Sequence, residues 1–332
     1  MDTCSPLSTN LNTRKIPDRT QFRRGHLLKF IDLAGNGLEI GPLGYPTVSK
    51  SEANISYLDL KSRDQLVRES SPNDEVDRIP ETDYLVASND YGQYVADKFD
   101  YIIANHVLEH IPDLIRWLVT VSAMLKPNGV LFIALPDKKY TFDKYRQTSR
   151  LSHILNDYYT EAQTISLEHV LEQVTYFDRS YLGEPVVISE RLDRARMEKI
   201  ISEGIQPWMV GYHCHIFQSE TVLDTIFKPL ILMGYVDLDL IEFVPAEGIN
   251  YGEMMMIFRK GRSSLLDRPI DLPLFFDQDF PIETLQQVDG QIKRDQIVKE
   301  KVSLIPSFVN NSKFAQKYVK PLYQRINRLG RK

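Results

Sequence analysis

Histidines and carboxylates lie close together in two short segments of the chain, and the first is NHVLEHIPD, residues 105–113. Within it, Glu109 and His110 come shortly after an apolar run, so they would lie near the end of a buried strand. A histidine suits general base catalysis because its ordinary pKa is near neutrality. Such a pair could take the proton from a hydroxyl group that acts as a nucleophile. We therefore predict His110 and Glu109 as catalytic residues, although His110 could instead cap or orient the loop.

The second segment is GYHCHIF, residues 211–217. His213 and His215 are separated by one residue, so in an extended backbone they would share a face. We expect one of them to be functional and the other structural, and we choose His215 as the catalytic candidate. Asp137, which follows another apolar run, is a further candidate base.

The HVLEH part of the first segment also matches H-x-x-E-H, the zinc motif of one class of metallopeptidases. That chemistry needs both histidines and the glutamate on one helix, directed at a single ion. Here the motif follows a strand, and Ile111-Pro112-Asp113 comes within one turn, which argues against helical geometry at His106. The sequence therefore disfavours a peptidase, and we predict no resident metal ion.

A glycine-bearing turn near the start of the chain indicates an adenosine-containing ligand. GLEIGPLG, residues 37–44, closes an apolar run, and the following ISYLDL places Asp59 at 20 positions after Glu39. Gly41 and Gly44 would let the backbone approach a ligand, and an acid at the tip of the next strand accepts hydrogen bonds from ribose hydroxyls. The turn is neither G-x-G-x-x-G nor a P-loop, so the downstream pattern has to support this interpretation.

Apolar runs of strand length alternate with segments of helix length up to Leu135. The predicted strands are Gly37–Ile40, Ile55–Leu58, Tyr84–Ala87, Phe99–Ala104 and Gly129–Leu135. The later runs lack period-two alternation, which is typical of strands covered on both faces. This pattern predicts an α/β, doubly wound, Rossmann-like sheet whose strand ends meet at one crevice.

After Pro136 the alternation stops, and residues 138–212 are charged and rich in tyrosine. We interpret them as a helical insertion that forms a wall or lid of the acceptor site. Two further strands, Tyr235–Val244 and Glu253–Arg259, are joined too closely for a crossover helix, so they should be antiparallel and complete a seven-stranded sheet. The predicted helices are Phe22–Asp32, Leu151–Tyr159, Leu167–Val174, Ser189–Glu203 and Ser219–Met233. The expected divisions are a flexible N-terminus (1–21), one main domain (22–262) and a peripheral C-terminal extension (263–332).

Composition limits the classes to which the protein can belong. The chain has 332 residues, of which 42% are hydrophobic, and its net charge of −5 gives no indication of a nucleic-acid partner. Residues 301–332 contain eight Lys and Arg and no Asp or Glu, a basic amphipathic tail that could contact an anionic surface. Two cysteines, no apolar signal segment and no run long enough for a membrane helix predict a cytoplasmic protein.

In combination, these motifs resemble those of the class I S-adenosylmethionine-dependent methyltransferases. The matching segments are LEIGPLG (38–44), YLDL (57–60), FDYIIANHVLEHIPD (99–113) and MLKPNGVLFIALPD (124–137). The two-strand ending also fits, because the last strand of that fold is antiparallel. More closely, GLEIGP, NHVLEHIPDLIRWL and PDKKYTFDKYR look like a subgroup often associated with bacterial polysaccharide and glycan gene sets.

The resemblance implies S-adenosylmethionine as the cofactor. Glu39 would contact its methionine amino end, although this carboxylate could simply be satisfied by backbone amides, and Asp59 with Leu60 would bind the ribose. The other implied contacts are Gly41, Pro42 and Gly44 in the loop, Asn89 and Asp90 at the adenine, and Asn105 and His106 beside the methionine. Leu43 and Tyr45 stand where the family usually has glycines, so the loop must follow a different path.

The resemblance also implies methyl transfer, and we expect the acceptor to be an oxygen of a sugar, a glycan or another polar small molecule. Aromatic and cationic residues of the insertion, such as Tyr140 and Arg146, suit such an acceptor. One alternative is metal-assisted methylation of a vicinal diol or an RNA ribose, with the ion held by Glu109, His110 and a later histidine. The others are a non-catalytic scaffold of the same fold and a dehydrogenase, which the KPNG segment matches poorly.

Overall fold

The computed structural model describes residues 19–70, 76–89, 91–178, 194–206, 209, 211–247 and 252–261. The chain divides into a unit Met1–Ile270 and a second unit Asp271–Lys332, and the second lies entirely outside the described residues. The predicted basic tail and Asp90 are likewise outside them. Of the predicted flexible N-terminus, only residues 19–21 are described, and they begin a helix.

One seven-stranded sheet organises the described residues. Its strands are β1 (Gly37–Ile40), β2 (Ile55–Asp59), β3 (Tyr84–Leu85), β4 (Phe99–Asn105), β5 (Leu125–Pro136), β6 (Leu238–Val244) and β7 (Glu253–Lys260). Their order is β3-β2-β1-β4-β5-β7-β6. Strands β1 to β5 pair in parallel, whereas β7 runs antiparallel to both β5 and β6. The predicted Rossmann-like sheet with an antiparallel last strand is confirmed.

The helices lie between the strands and in the insertion. They are α1 (Arg19–Leu27), α2 (Arg63–Glu69), α3 (Leu114–Met124), α4 (Leu151–Tyr159), α5 (Leu167–Tyr176), α6 (Arg194–Glu203) and α7 (Lys228–Leu232). Asp113 caps the N-terminus of α3, and its side chain accepts a hydrogen bond from the Arg116 N–H. Within the part of the chain that the structure describes, no helix combines the length and apolar character that crossing a membrane requires.

The order of the strands reverses between β1 and β4, which are neighbours in the sheet. In open parallel sheets, ligands bind beyond the carboxyl ends of the strands at such a reversal. Gly41 follows β1 directly and His106 follows β4 directly. The sheet therefore brings these two positions to opposite sides of one crevice.

Strands β4 and β5 pass through the middle of the hydrophobic core. Residues 101–104 and 130–135 are all buried, which explains their continuous apolar sequence. Trp117 and Leu118 of α3 pack in the core cluster on one face of the sheet, and Leu27 of α1 packs in the cluster on the other. Helices thus cover both faces, and the polar residues at the strand ends remain next to the crevice.

The predicted helix Ser219–Met233 is only partly confirmed. A wide π-helical turn covers Leu223–Phe227, and α7 follows it for five residues. Pro229 lies in the first turn of α7 and has no N–H to donate to the preceding turn. A widened turn ahead of this proline avoids the clash that a continuous α-helix would create.

Candidate active site

A cavity of about 810 Å³ opens at the carboxyl ends of β1, β2 and β4. Of the predicted donor contacts, Gly41, Asp59, Leu60, Asn89 and His106 line it. A concave site of this size at a topological switch point suits a nucleoside-sized ligand. The structure thus brings together residues from four separate segments of the sequence.

Gly41 turns the chain at the end of β1. Its φ is 61°, in the left-handed region that disfavours side chains, and its N–H donates to the carbonyl of Leu58 at 2.9 Å. Leu43 lines the cavity and also has a positive φ, of 48°. Pro42 and Gly44 are not among the lining residues of this cavity. The loop therefore follows a different path from the usual glycine-rich loop, as the leucine at position 43 led us to expect. Leu43 forms part of the cavity wall, whereas its neighbours Pro42 and Gly44 do not.

Asp59 ends β2 with its side chain at the cavity wall. Its Oδ1 accepts a hydrogen bond from the Lys61 N–H at 3.0 Å, which orients the carboxylate. Burial raises the pKa of Asp59, and the N–H groups of Lys61 and Leu60 oppose that rise. The remaining lone pairs are available to a diol. Its position therefore supports the predicted ribose contact.

Glu39 is not part of the cavity wall. It is 0% exposed, and its two carboxylate oxygens accept from the Thr47 N–H at 2.9 Å each. Burial raises the pKa of Glu39 to about 7, against the hydrogen bonds from Thr47 and Val48. Asn105 Nδ2 donates to Glu39 Oε1 at 3.1 Å and to Thr47 Oγ1 at 2.8 Å. Glu39 and Asn105 thus brace the loop, and their contacts with the donor stay predictions.

His106 lies between two buried carboxylates beside the cavity. Its Nε2 is 2.8 Å from Glu253 Oε2, and its Nδ1 is 3.3 Å from Glu109 Oε1. Burial alone would lower the pKa of His106, but these carboxylates raise it and favour the charged ring. Arg23 donates from Nε and Nη2 to the two oxygens of Glu253 at 2.9 and 2.6 Å. In the protein interior, the positive charges of Arg23 and His106 therefore compensate the negative charges of Glu253 and Glu109.

Glu109, His110 and His213 converge next to the cavity. One nitrogen or carboxylate oxygen of each lies within 4.8 Å of the corresponding atoms of the other two. Neither carboxylate oxygen of Glu109, nor Nδ1 of His110, has an aligned hydrogen-bond partner among the described residues. His110 itself lines the cavity. This cluster therefore holds buried polar atoms without an aligned hydrogen-bond partner, directly beside a residue of the cavity wall.

The surroundings of Glu109 and His110 determine their charges, and a carboxylate orients the ring of His213. Burial would raise the pKa of Glu109, but the contact with His106 holds it at about 2, so the carboxylate is ionised. Burial lowers the pKa of His110, so the ring is neutral at neutral pH. His213 Nδ1 lies 2.5 Å from Asp143 Oδ2, and Asp143 in turn accepts from Arg146 Nη1 at 3.0 Å. The carboxylate fixes the orientation of the His213 ring.

Two predicted catalytic residues lie elsewhere. Asp137 is buried, and its carboxylate accepts from the N–H groups of Lys139 and Ser219 at 2.9 and 2.7 Å, so it serves as a structural cap. His215 is 1% exposed and packs in the insertion, where its Nε2 is 3.2 Å from the Pro112 carbonyl. Segment 211–217 is not a regular strand, so the two histidines do not share a face. The residue beside Glu109 is His213.

The sequence did not single out several individual residues of the cavity wall. Residues 163–165, in the loop between α4 and α5, line it together with Tyr91 and Lys61. No motif marks the 163–165 loop, because its position depends on how the insertion folds back over the sheet. Tyr91 is fixed by a hydrogen bond from Trp117 Nε1 at 3.0 Å, a contact between distant segments.

Comparison with known proteins finds similarity to methyltransferases. Residues 25–184, just under half of the chain, match the family described as "Methyltransferase domain". A stretch of 45 residues is 42% identical to the ubiquinone biosynthesis O-methyltransferase of Histophilus somni (strain 2336), covering 14% of this chain and 19% of that protein. The chain thus spans about a fifth of the length of that curated relative.

Solved structures are similar to this chain only at low sequence identity and low TM-score. The N-methyltransferase NodS from Bradyrhizobium japonicum WM9 is 15% identical, with a TM-score of 0.36 over 73% of this chain and 97% of that chain. An S-adenosylmethionine-dependent methyltransferase from Mesorhizobium loti is 13% identical, with a TM-score of 0.37 over 71% of this chain and 96% of that chain. Residues 25–184 are thus similar to a methyltransferase domain, and they belong to a chain that has the Rossmann-like sheet described above.

Proposed function

We propose that this protein transfers a methyl group from S-adenosylmethionine to an oxygen of a sugar, a glycan or another polar small acceptor. The observation that carries the proposal is the cluster of Glu109, His110 and His213 at the cavity. An oxygen nucleophile must lose a proton, and this cluster offers a neutral imidazole beside an ionised carboxylate. A link to polysaccharide assembly and a cytoplasmic setting belong to the same proposal and rest on the sequence alone.

The sulfonium of the bound donor supplies an activated methyl group, so the protein mainly has to align the acceptor oxygen with it. Gly41 and Asp59 hold the donor side of the cavity, and His106 borders the donor where β4 ends. His110 accepts the hydroxyl proton as the new bond forms, and ionised Glu109 stabilises the resulting imidazolium. His213, held by Asp143, orients the rings of the cluster.

The insertion supplies the acceptor side in this proposal. Residues 163–165 already line the cavity, which supports the predicted role of residues 138–212 as a wall or lid. Arg146, however, is fully buried and bonded to Asp143, Glu172 and the His213 carbonyl, so it is not available to a substrate phosphate. Tyr140 is 42% exposed and is free of that network.

The direct test is a mass-shift screen of nucleotide sugars and oligosaccharides with isotopically labelled S-adenosylmethionine. A labelled product from a polar hydroxyl acceptor is the expected result. With that acceptor, His110→Ala should lower kcat about 10²- to 10⁴-fold, the usual contribution of a general base, and leave donor affinity within twofold. His26→Ala, a change on α1, should leave both unchanged. Methylation only at nitrogen or carbon would refute the proposed acceptor class.

A second candidate function is metal-assisted methylation of a vicinal diol or an RNA ribose. The specific observation is that Glu109, His110 and His213 offer three ligand atoms in mutual reach, and that Glu109 and His110 have buried atoms without an aligned hydrogen-bond partner among the described residues. Asp143 beside His213 is the kind of outer carboxylate that orients a metal-binding histidine. A bound divalent ion could lower the pKa of an acceptor hydroxyl.

Chelation separates the two mechanisms. A general base acts without a metal, so activity should survive EDTA and dialysis. Activity that falls with EDTA and returns with Mn²⁺, Mg²⁺ or Zn²⁺ would favour the metal. A scaffold without catalysis is the remaining alternative, and calorimetry with S-adenosylmethionine addresses it, since absence of micromolar binding would support the scaffold.

A further inference from the structure

A second cluster of histidines lies in the insertion, separate from the one at the cavity. His153 and Asp157 are one turn apart on α4, and His215 reaches them from segment 211–217. One nitrogen or carboxylate oxygen of each lies within 4.8 Å of the other two. His153 Nε2 is 3.3 Å from Asp157 Oδ2. The methyl-transfer mechanism makes no use of these three side chains.

Two buried acceptor atoms of this cluster have no hydrogen-bond partner within the described part of the chain, Nδ1 of His215 and Oδ2 of Asp157. His215 is 1% exposed, and its Nε2 contacts the Pro112 carbonyl at 3.2 Å. A carbonyl can only accept, so Nε2 carries the proton and Nδ1 keeps a bare lone pair. Buried polar atoms are normally paired, so these two require an explanation.

His169 does not supply enough donors. Its Nδ1 accepts from the Ser166 backbone N–H at 3.1 Å, so its own proton is on Nε2. That N–H faces His153 Nε2 at 2.8 Å, which makes His153 Nε2 another acceptor. Lone pairs of His153, Asp157 and His215 thus converge with a single N–H among them. A cation that takes the place of the His169 N–H at His153 Nε2 would satisfy all three.

We propose that His153, Asp157 and His215 bind a divalent transition-metal ion, and that Zn²⁺ is the ion they suit best. Two imidazole nitrogens and one carboxylate oxygen are common zinc ligands, and three protein ligands leave a fourth position for water. A separate cavity of about 270 Å³, lined by His153, His169 and Cys214, gives access to the site. The contact from His215 to the Pro112 carbonyl is of the kind that orients a metal-binding histidine.

The ion would connect α4 of the insertion to segment 211–217, which carries His213. The N–H groups of Cys214 and His215 both donate to the Glu109 carbonyl, at 2.6 and 3.1 Å. Binding His215 to α4 therefore fixes the backbone that carries His213 to its place beside Glu109. This positioning role rests on the proposed function, whereas the binding of the ion does not.

The test uses the untagged full-length protein, stripped with a chelator and titrated with ZnCl₂ alone. Whatever number of equivalents the wild type binds, His153→Gln and Asp157→Asn should each lose one, with affinity at that site at least 100-fold lower. His26→Gln, outside both clusters, should match the wild type. His110→Gln, which alters the cavity cluster, should keep the insertion site. Co²⁺ in place of Zn²⁺ should show visible d–d absorption that is weaker in His153→Gln by the contribution of one site.

Stability gives an independent readout, because a ligand that binds the folded state raises the melting temperature. Zn²⁺ should raise Tm of the wild type by several degrees more than it raises Tm of His153→Gln, while affinity for S-adenosylhomocysteine stays the same in both. Identical zinc binding by the wild type and both cluster variants would overturn the proposal. So would the absence of zinc binding by the folded wild type. These outcomes do not depend on whether an acceptor is ever found.

Discussion

His106 Nε2 lies 2.8 Å from Glu253 Oε2, so the first residue of β7 holds the ring that follows β4. The two residues are 147 positions apart in the sequence. Because Glu253 also accepts two hydrogen bonds from Arg23, one buried carboxylate connects α1, β7 and the cavity at the strand ends. The antiparallel final strand thus contributes directly to the site.

Replacing Glu253 with Gln should destabilise the protein strongly. Removal of one partner from a buried ion pair typically costs about 3–5 kcal/mol, because the remaining charge is left uncompensated. Glu253→Gln leaves two cations, Arg23 and His106, without their shared anion. Urea unfolding measures the loss, and Glu198→Gln, which alters an exposed pair with Arg194, should change the free energy of unfolding by less than about 1 kcal/mol. Similar values for the two variants would contradict the network.

Replacing Asp59 with Asn should weaken donor binding. Hydrogen bonds to a charged group contribute about 1.5–3 kcal/mol each, so the loss of one charged contact predicts an affinity roughly 10- to 100-fold lower. Calorimetry with S-adenosylhomocysteine measures it. The matched control is Glu81→Gln, an acid whose side chain is 80% exposed. Equal affinity in Asp59→Asn and the wild type would remove the ribose assignment.

Two glycine-to-alanine changes should act in opposite directions. Gly41 has a φ of 61°, and a side chain in left-handed backbone costs about 1–2 kcal/mol, so Gly41→Ala should lower stability and donor affinity together. Gly25 lies within α1, and an added Cβ there meets nothing within 4 Å. Gly25→Ala should therefore raise the free energy of unfolding by about 0.5–1 kcal/mol. Thermal unfolding of both variants checks the contrast.

Glu39 should make stability fall as the pH rises from about 4.5 to about 7. Its pKa is raised by burial from 4.5 to about 7, so between these values the folded state binds more protons than the unfolded state. Linkage then requires the free energy of unfolding to decrease with pH, by about 3 kcal/mol in total at 1.36 kcal/mol per pKa unit. Glu39→Gln should flatten this part of the curve. An unchanged slope in the variant would assign the dependence to other groups.

Local sequence was sufficient to predict the sheet and several residues that line the cavity at its strand ends. Continuous apolar runs predicted β4 and β5 because strands covered on both faces cannot alternate in polarity. Gly41 and Asp59 could be located because each follows a strand directly, and the carboxyl ends of parallel strands meet at one edge. Helix α4 was predicted as a helical stretch at its observed bounds, Leu151–Tyr159.

Tertiary structure decided the contacts between distant segments. Whether His213 or His215 meets Glu109 depends on the irregular backbone of segment 211–217, which the Glu109 carbonyl holds through two N–H groups. Whether Glu39 faces a ligand or the protein depends on Thr47 and Asn105, which approach it only after the loop has folded. Periodicity reports which face of an element is buried. It carries no information about which partners a buried polar side chain will find, since those partners are brought together by the packing of the whole domain.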